Sequence, residues 1–75
     1  MKAYVFVNVA AGQSAAVVKR LRSIKSVKSA DVCWGLPDII ALVEAGNPKA
    51  LQGLVVEEIQ QTPGVTQTDT HIVWE

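Results

Sequence analysis

Val32-Cys33-Trp34-Gly35-Leu36-Pro37-Asp38-Ile39-Ile40-Ala41-Leu42-Val43 sets two apolar runs on either side of a Gly/Pro/Asp break. Both runs are rich in strand-forming residues, and a short break of this composition between them predicts a β-hairpin. Gly35 is free to take positive φ, Pro37 fixes its own φ, and the Asp38 carboxylate is suited to accept from amides of the turn. A turn at the rim of a rigid sheet is also a good place to present a polar side chain to a ligand. Asp38 therefore has two compatible readings, a turn cap and a ligand contact.

Upstream of the hairpin, residues 3–9 are β-branched and aromatic and predict a first strand. Gly12 ends it, and Ser14 is placed to cap a helix reaching about Ser23, with Val17, Val18, Leu21 and Ile24 as its apolar stripe. The hairpin strands are expected over 27–34 and 39–44. Downstream, Gly46-Asn47-Pro48 starts a second helix, with Asn47 as N-cap and Pro48 at the first helical position. Leu51, Leu54, Val55 and Ile59 are its inward residues, Thr62-Pro63-Gly64 stops it, and a last strand covers 65–74.

This order, βαββαβ, predicts a ferredoxin-like plait of the α+β class. Its sheet is antiparallel with strand order 4-1-3-2 and both helices on one face. A single domain spans residues 1–75, and no DNA-binding domain is expected. A chain of 75 residues buries only about 60% of its unfolded surface, yet 49% of its residues are hydrophobic. In the first strand both parities are largely apolar, so both faces call for cover. Helices cover one face, and a homodimer through the sheet would cover the other.

Seven basic and seven acidic residues cancel, but Lys2, Lys19, Arg20, Arg22, Lys25 and Lys28 all precede the first acid, Asp31. That basic cluster lacks interleaved aromatics and a reading helix, so it is taken as a solvated helix face rather than a nucleic-acid surface. Asn8 interrupts the short apolar run after Met1-Lys2, which is therefore not read as a leader. No run is long enough to span a membrane, and a lone Cys33 fits a reducing compartment, so the cytoplasm is expected.

Cys33 and His71 are the only residues of their kinds, which gives no spaced ligand set for zinc and no cofactor. In the expected strand order they lie on opposite edges, too far apart for a nucleophile pair, and Cys33 reads as a small buried hydrophobe. Ala10-Ala11-Gly12-Gln13-Ser14 precedes a helix but lacks the Walker lysine. Asp31, Asp38, Glu44 and Asp69 show no spacing that marks a catalytic pair. Thr66, Thr68 and Thr70 share one parity of the last strand, as an ordinary edge-strand face or as a row of hydroxyls for a small polar ligand.

Gly35-x-x-Asp38 in the hairpin, with Pro63-Gly64-Val65-x-x-Thr68-x-Thr70 opening the last strand, resembles the effector-sensing domain of the leucine-responsive/asparagine-type (Lrp/AsnC) transcriptional regulators. The resemblance covers essentially the whole chain. It implies a dimeric α+β barrel whose dimers assemble into an octamer or similar ring. It also implies a small effector, often an amino acid, bound where dimers meet, with Gly35, Leu36, Pro37, Asp38, Thr68 and Thr70 around it. The family's helix-turn-helix has no counterpart in this sequence, so a stand-alone sensing domain without direct DNA binding is expected, with full-length regulators as candidate partners. Leu36-Pro37 replaces the aromatic or polar residues common inside the family's turn. Two alternatives share the fold: a small dimeric α+β barrel enzyme using His71, Asp69 or Tyr4, and a purely structural assembly partner of full-length regulators. Domains of the ACT type share the strand order as well.

Overall fold

Alternation along β1 (Lys2–Val9) sets the layers of the molecule. Ala3, Val5 and Val7 are fully buried, whereas Tyr4 is exposed and Phe6 is half-buried. The structure, a computed structural model, describes residues 1–74. After β1 come α1 (Ser14–Arg22), β2 (Val27–Val32), β3 (Ile39–Glu44), α2 (Pro48–Gly53), a π-helical segment (Leu54–Ile59) and β4 (Val65–Ile72). The strands form one antiparallel sheet of order β2-β3-β1-β4, the ferredoxin-like plait expected from the sequence.

The core lies between one sheet face and the helices. Ala3, Val5 and Val7 of β1, with Ile39, Ala41 and Val43 of β3, meet Val17, Val18 and Leu21 of α1 and Leu51, Leu54, Val55 and Ile59 from α2 and the π-helical segment. Each large aliphatic side chain fully buried here contributes about 1.5–3 kcal/mol. The opposite face of the two central strands carries Tyr4, Phe6, Ile40 and Leu42, all outside the buried core that the helices cover.

Several boundaries differ from expectation, each for a local reason. Ser14 is already inside α1; Gln13 holds the cap position with helical backbone angles and no side-chain bond, so the helix starts one residue early. Asn47 caps α2 as expected, its side-chain oxygen accepting from the Ala50 amide at 2.8 Å. That helix does not continue as a regular α-helix to Thr62. From Leu54 it widens into π turns, sealed by the Gln60 amide donating to the Val55 carbonyl at 2.8 Å. Leu54 and Ile59, five residues apart, are both buried. In an α-helix that spacing leaves two side chains about 140° apart, and a wider turn returns both to the sheet. β2 stops at Val32 rather than Trp34, because the Cys33 amide closes the hairpin on the Asp38 carbonyl at 2.7 Å and the chain then leaves the sheet. β4 ends at Ile72, beyond which the Val73 amide still bonds the Lys2 carbonyl at 2.8 Å.

Candidate functional site

The hairpin tip holds Gly35 at φ +115°, the left-handed region that favours glycine. Trp34 and Leu36 project from it at 104% and 83% exposure, so the tip is apolar and wet. Asp38 behaves differently from the turn cap anticipated. Its Oδ2 accepts from the Val9 amide at 2.8 Å, across the sheet, rather than from amides of its own turn. The β1–β3 register, Lys2 opposite Glu44 through Val7 opposite Ile39, would place Pro37 opposite Val9. By then the chain has turned away, and the Asp38 carboxylate supplies the acceptor that the ladder lacks. A half-buried carboxylate is thus fixed at the rim of the sheet by a charge-assisted bond.

Thr68 and Thr70 are opposite Val7 and Val5 of β1, so they share the helix-facing side of the sheet with that buried pair. Thr68 Oγ1 accepts from Gln60 Nε2 at 2.8 Å. It borders a depression of about 420 Å³ with Gln60, Gln61, Thr66 and Gln67. Thr70 borders an apolar groove of about 260 Å³ with Leu51, Val55, Val56 and Ile72. Because β1 separates β3 from β4, Asp38 and the threonines are two strand spacings apart, roughly 10 Å. One protomer does not gather Gly35, Leu36, Pro37 and Asp38 with Thr68 and Thr70 into a single pocket.

Cys33 and His71 are on the two edge strands' sides of the sheet, β2 and β4, as the expected order requires. Cys33 is half-buried rather than fully buried, its sulfur 3.8 Å from the Asp31 carbonyl oxygen. His71 Nε2 lies 3.1 Å from Asp69 Oδ2, and its ring lies against that of Phe6, centroids 4.8 Å apart and planes tilted by 38°. Both members of that pair are more than half exposed. Among the described residues no cluster of His, Cys, Asp or Glu is arranged to hold a metal ion. No helix among them is long and apolar enough to cross a membrane.

Sequence reading missed two residues beside the candidate set. Gln60, just past the π turns, reaches Thr68 across the connection to β4, a contact the sequence does not advertise. Asn8, a polar residue between Val7 and Val9, was visible as an interruption of an apolar strand but was not read as part of a site.

Plait, bare sheet face and carboxylate-bearing rim together define a small α+β domain of the ferredoxin-like kind. The chain belongs to the Lrp/AsnC ligand-binding domain family, whose model matches residues 2–75. The crystal structure of FFRP-DM1 is similar over 96% of each chain, with 32% identity and a TM-score of 0.91. Escherichia coli AsnC aligns with 99% of this chain and 50% of its own, at 23% identity and TM-score 0.92. The L-methionine complex of the transcriptional regulator NMB0573 from Neisseria meningitidis aligns with 99% of this chain and 49% of its own, at 17% identity and TM-score 0.88. The last two likenesses concern the fold alone. No curated protein is similar to the chain.

Proposed function

We propose that this chain is a ligand-sensing and assembly domain that binds an amino acid or related small metabolite between dimers and acts on transcription through a partner regulator. The observation that carries the reading is Asp38, a carboxylate pinned at the sheet rim beside an exposed turn. It suits an α-ammonium group, while amides near Gly35 and the hydroxyls of Thr68 and Thr70 suit a carboxylate. Since one protomer keeps these two sets apart, a second copy has to bring the threonines near the turn. The L-methionine bound by the Neisseria regulator supports an amino acid as the effector class.

In this reading two open faces, each with Tyr4, Phe6, Ile40 and Leu42, pack together into a dimeric α+β barrel with the helices outside. Dimers then join into an octamer or similar ring. A ligand seated at the joint favours whichever assembly binds it better. The domain performs no catalysis, uses no cofactor, makes no direct DNA or membrane contact and works in the cytoplasm. Calorimetry with a panel of amino acids tests the reading: binding that Asp38→Asn loses is expected, and no binding by the wild type at millimolar concentration defeats it. The exposed Trp34 and Leu36 also favour a second reading, a module that only assembles with full-length regulators. Co-purification with such a regulator in the absence of any bound amino acid would select it.

A further inference from the structure

Asn8 Oδ1 is shielded from solvent and has no hydrogen-bond partner. Buried acceptors are nearly always paired, and leaving one bare costs stability. Asparagine is also a poor strand former, and here it sits between two valines near the end of an inner strand. The residue works against the isolated protomer on both counts, which points to a donor that arrives from outside.

Its surroundings say which donor. Asn8 pairs with Gln67 on β4, and the β1–β3 register continues to place it opposite Asp38. The next amide, that of Val9, is the one that donates to Asp38 Oδ2. The Asp38 carboxylate therefore lies against the Asn8–Val9 peptide group. Its other oxygen, Oδ1, has no bond among the described residues. Cys33, Asp38, Asn8 and Gln67 form a polar row across all four strands, at the turn end of a face that is apolar along its centre. Among the described residues no basic side chain is ion-paired with Asp38.

We infer that Asn8 is the second acceptor of the Asp38 site and that the group it takes is a primary ammonium, held between Asn8 Oδ1 and Asp38 Oδ1. This rests on the amino-acid-sensing reading above. An ammonium carries three donors and no acceptor, so it satisfies both oxygens at once. A hydroxyl has one donor and leaves one oxygen bare, and a carboxylate is repelled. Ammonium binding requires the Asn8 side chain to rotate between staggered positions, bringing its oxygen from cover to the rim that Asp38 borders. Asn8 is then a specificity residue, choosing amines over the corresponding hydroxy acids.

The test compares wild type with Asn8→Leu, which is close in shape and apolar, by calorimetry against the protein amino acids and the 2-hydroxy analogue of each. Thermal melts are recorded without ligand. Wild type is expected to prefer the amine of a bound pair by at least about tenfold, and Asn8→Leu to lose about tenfold of that preference. Unliganded Asn8→Leu is expected to melt higher, because it removes an orphaned acceptor. An equal preference in both proteins overturns this inference and leaves the sensing reading standing. A lower melting temperature also overturns it, since Asn8 would then already have a partner within the assembly. Binding of no amino acid by the wild type overturns the sensing reading and this inference with it.

Discussion

The Val9 amide donates to Asp38 Oδ2 across 2.8 Å, although 29 residues separate the two in the chain. This bond joins the end of β1 to the start of β3 and gives Asp38 a structural duty whatever ligand it meets. That structural duty and the proposed ligand contact are separable by substitution. Asp38→Ala leaves the Val9 amide without its partner and is expected to cost about 1–3 kcal/mol. For a domain of this size that lowers the melting temperature by roughly 4–8 °C per kcal/mol. Asp38→Asn keeps an oxygen for Val9 and should retain most of the stability, yet it removes the charge an ammonium needs. Thermal denaturation and calorimetry on the same samples check both. An Asp38→Asn protein that binds amino acids as well as wild type would remove the carboxylate from the site.

The hairpin, the element order and the strand order were legible because each depends on local chemistry: Gly35 and Pro37 in the turn, Asn47-Pro48 at a helix start, apolar parity in β1. The Asp38–Val9 bond was not, because it depends on where β3 ends relative to β1, and a register is a property of two distant segments. The π turns at Leu54–Ile59 were hidden for a similar reason. For the candidate site, the family resemblance grouped Asp38 with Thr68 and Thr70, whereas within a protomer the intervening β1 keeps them apart.

Two glycines with similar backbone strain provide a steric comparison. Gly35 has φ +115° and open space where a Cβ would stand. Gly64 has φ +98°, and a Cβ there would come within 3.0 Å of Gln13 Cβ and 3.1 Å of Val17 Cγ2. Val17 is fully buried against the sheet and has little room to yield. Gly35→Ala is expected to cost about 1–2 kcal/mol for the left-handed backbone alone. Gly64→Ala should cost a further 1–3 kcal/mol or so, for overpacking against α1. Urea titration of both variants reads the difference; equal losses would mean that the start of α1 gives way without penalty.

The open sheet face makes its own prediction. Leu42 is half-buried there and lies opposite Tyr4, at the centre of the proposed dimer contact. Leu42→Asp places a charge where two apolar faces are to meet, and a desolvated unpaired charge is costly. In the protomer that position keeps access to water, so the fold should survive. Light scattering is expected to show the mass of one chain, with circular dichroism unchanged. A variant that stays dimeric while folded would move the interface away from this face.

Trp34 reports on the turn itself. It is 104% exposed in the protomer, and Trp74 is 93% exposed, so both indoles should emit as water-bathed tryptophans when the chain is dilute. In a Trp74→Phe background Trp34 is the sole tryptophan, one residue from Gly35 and at the tip that the proposed assembly covers. Raising the protein concentration through the dimer-to-ring transition should move its emission to the blue, as a neighbouring dimer excludes water from the indole. Adding an amino acid that binds at the joint should bring the same shift at lower protein concentration, because ligand and assembly are linked. Emission that stays water-like while light scattering registers the larger assembly would place the joint elsewhere and leave the turn facing solvent.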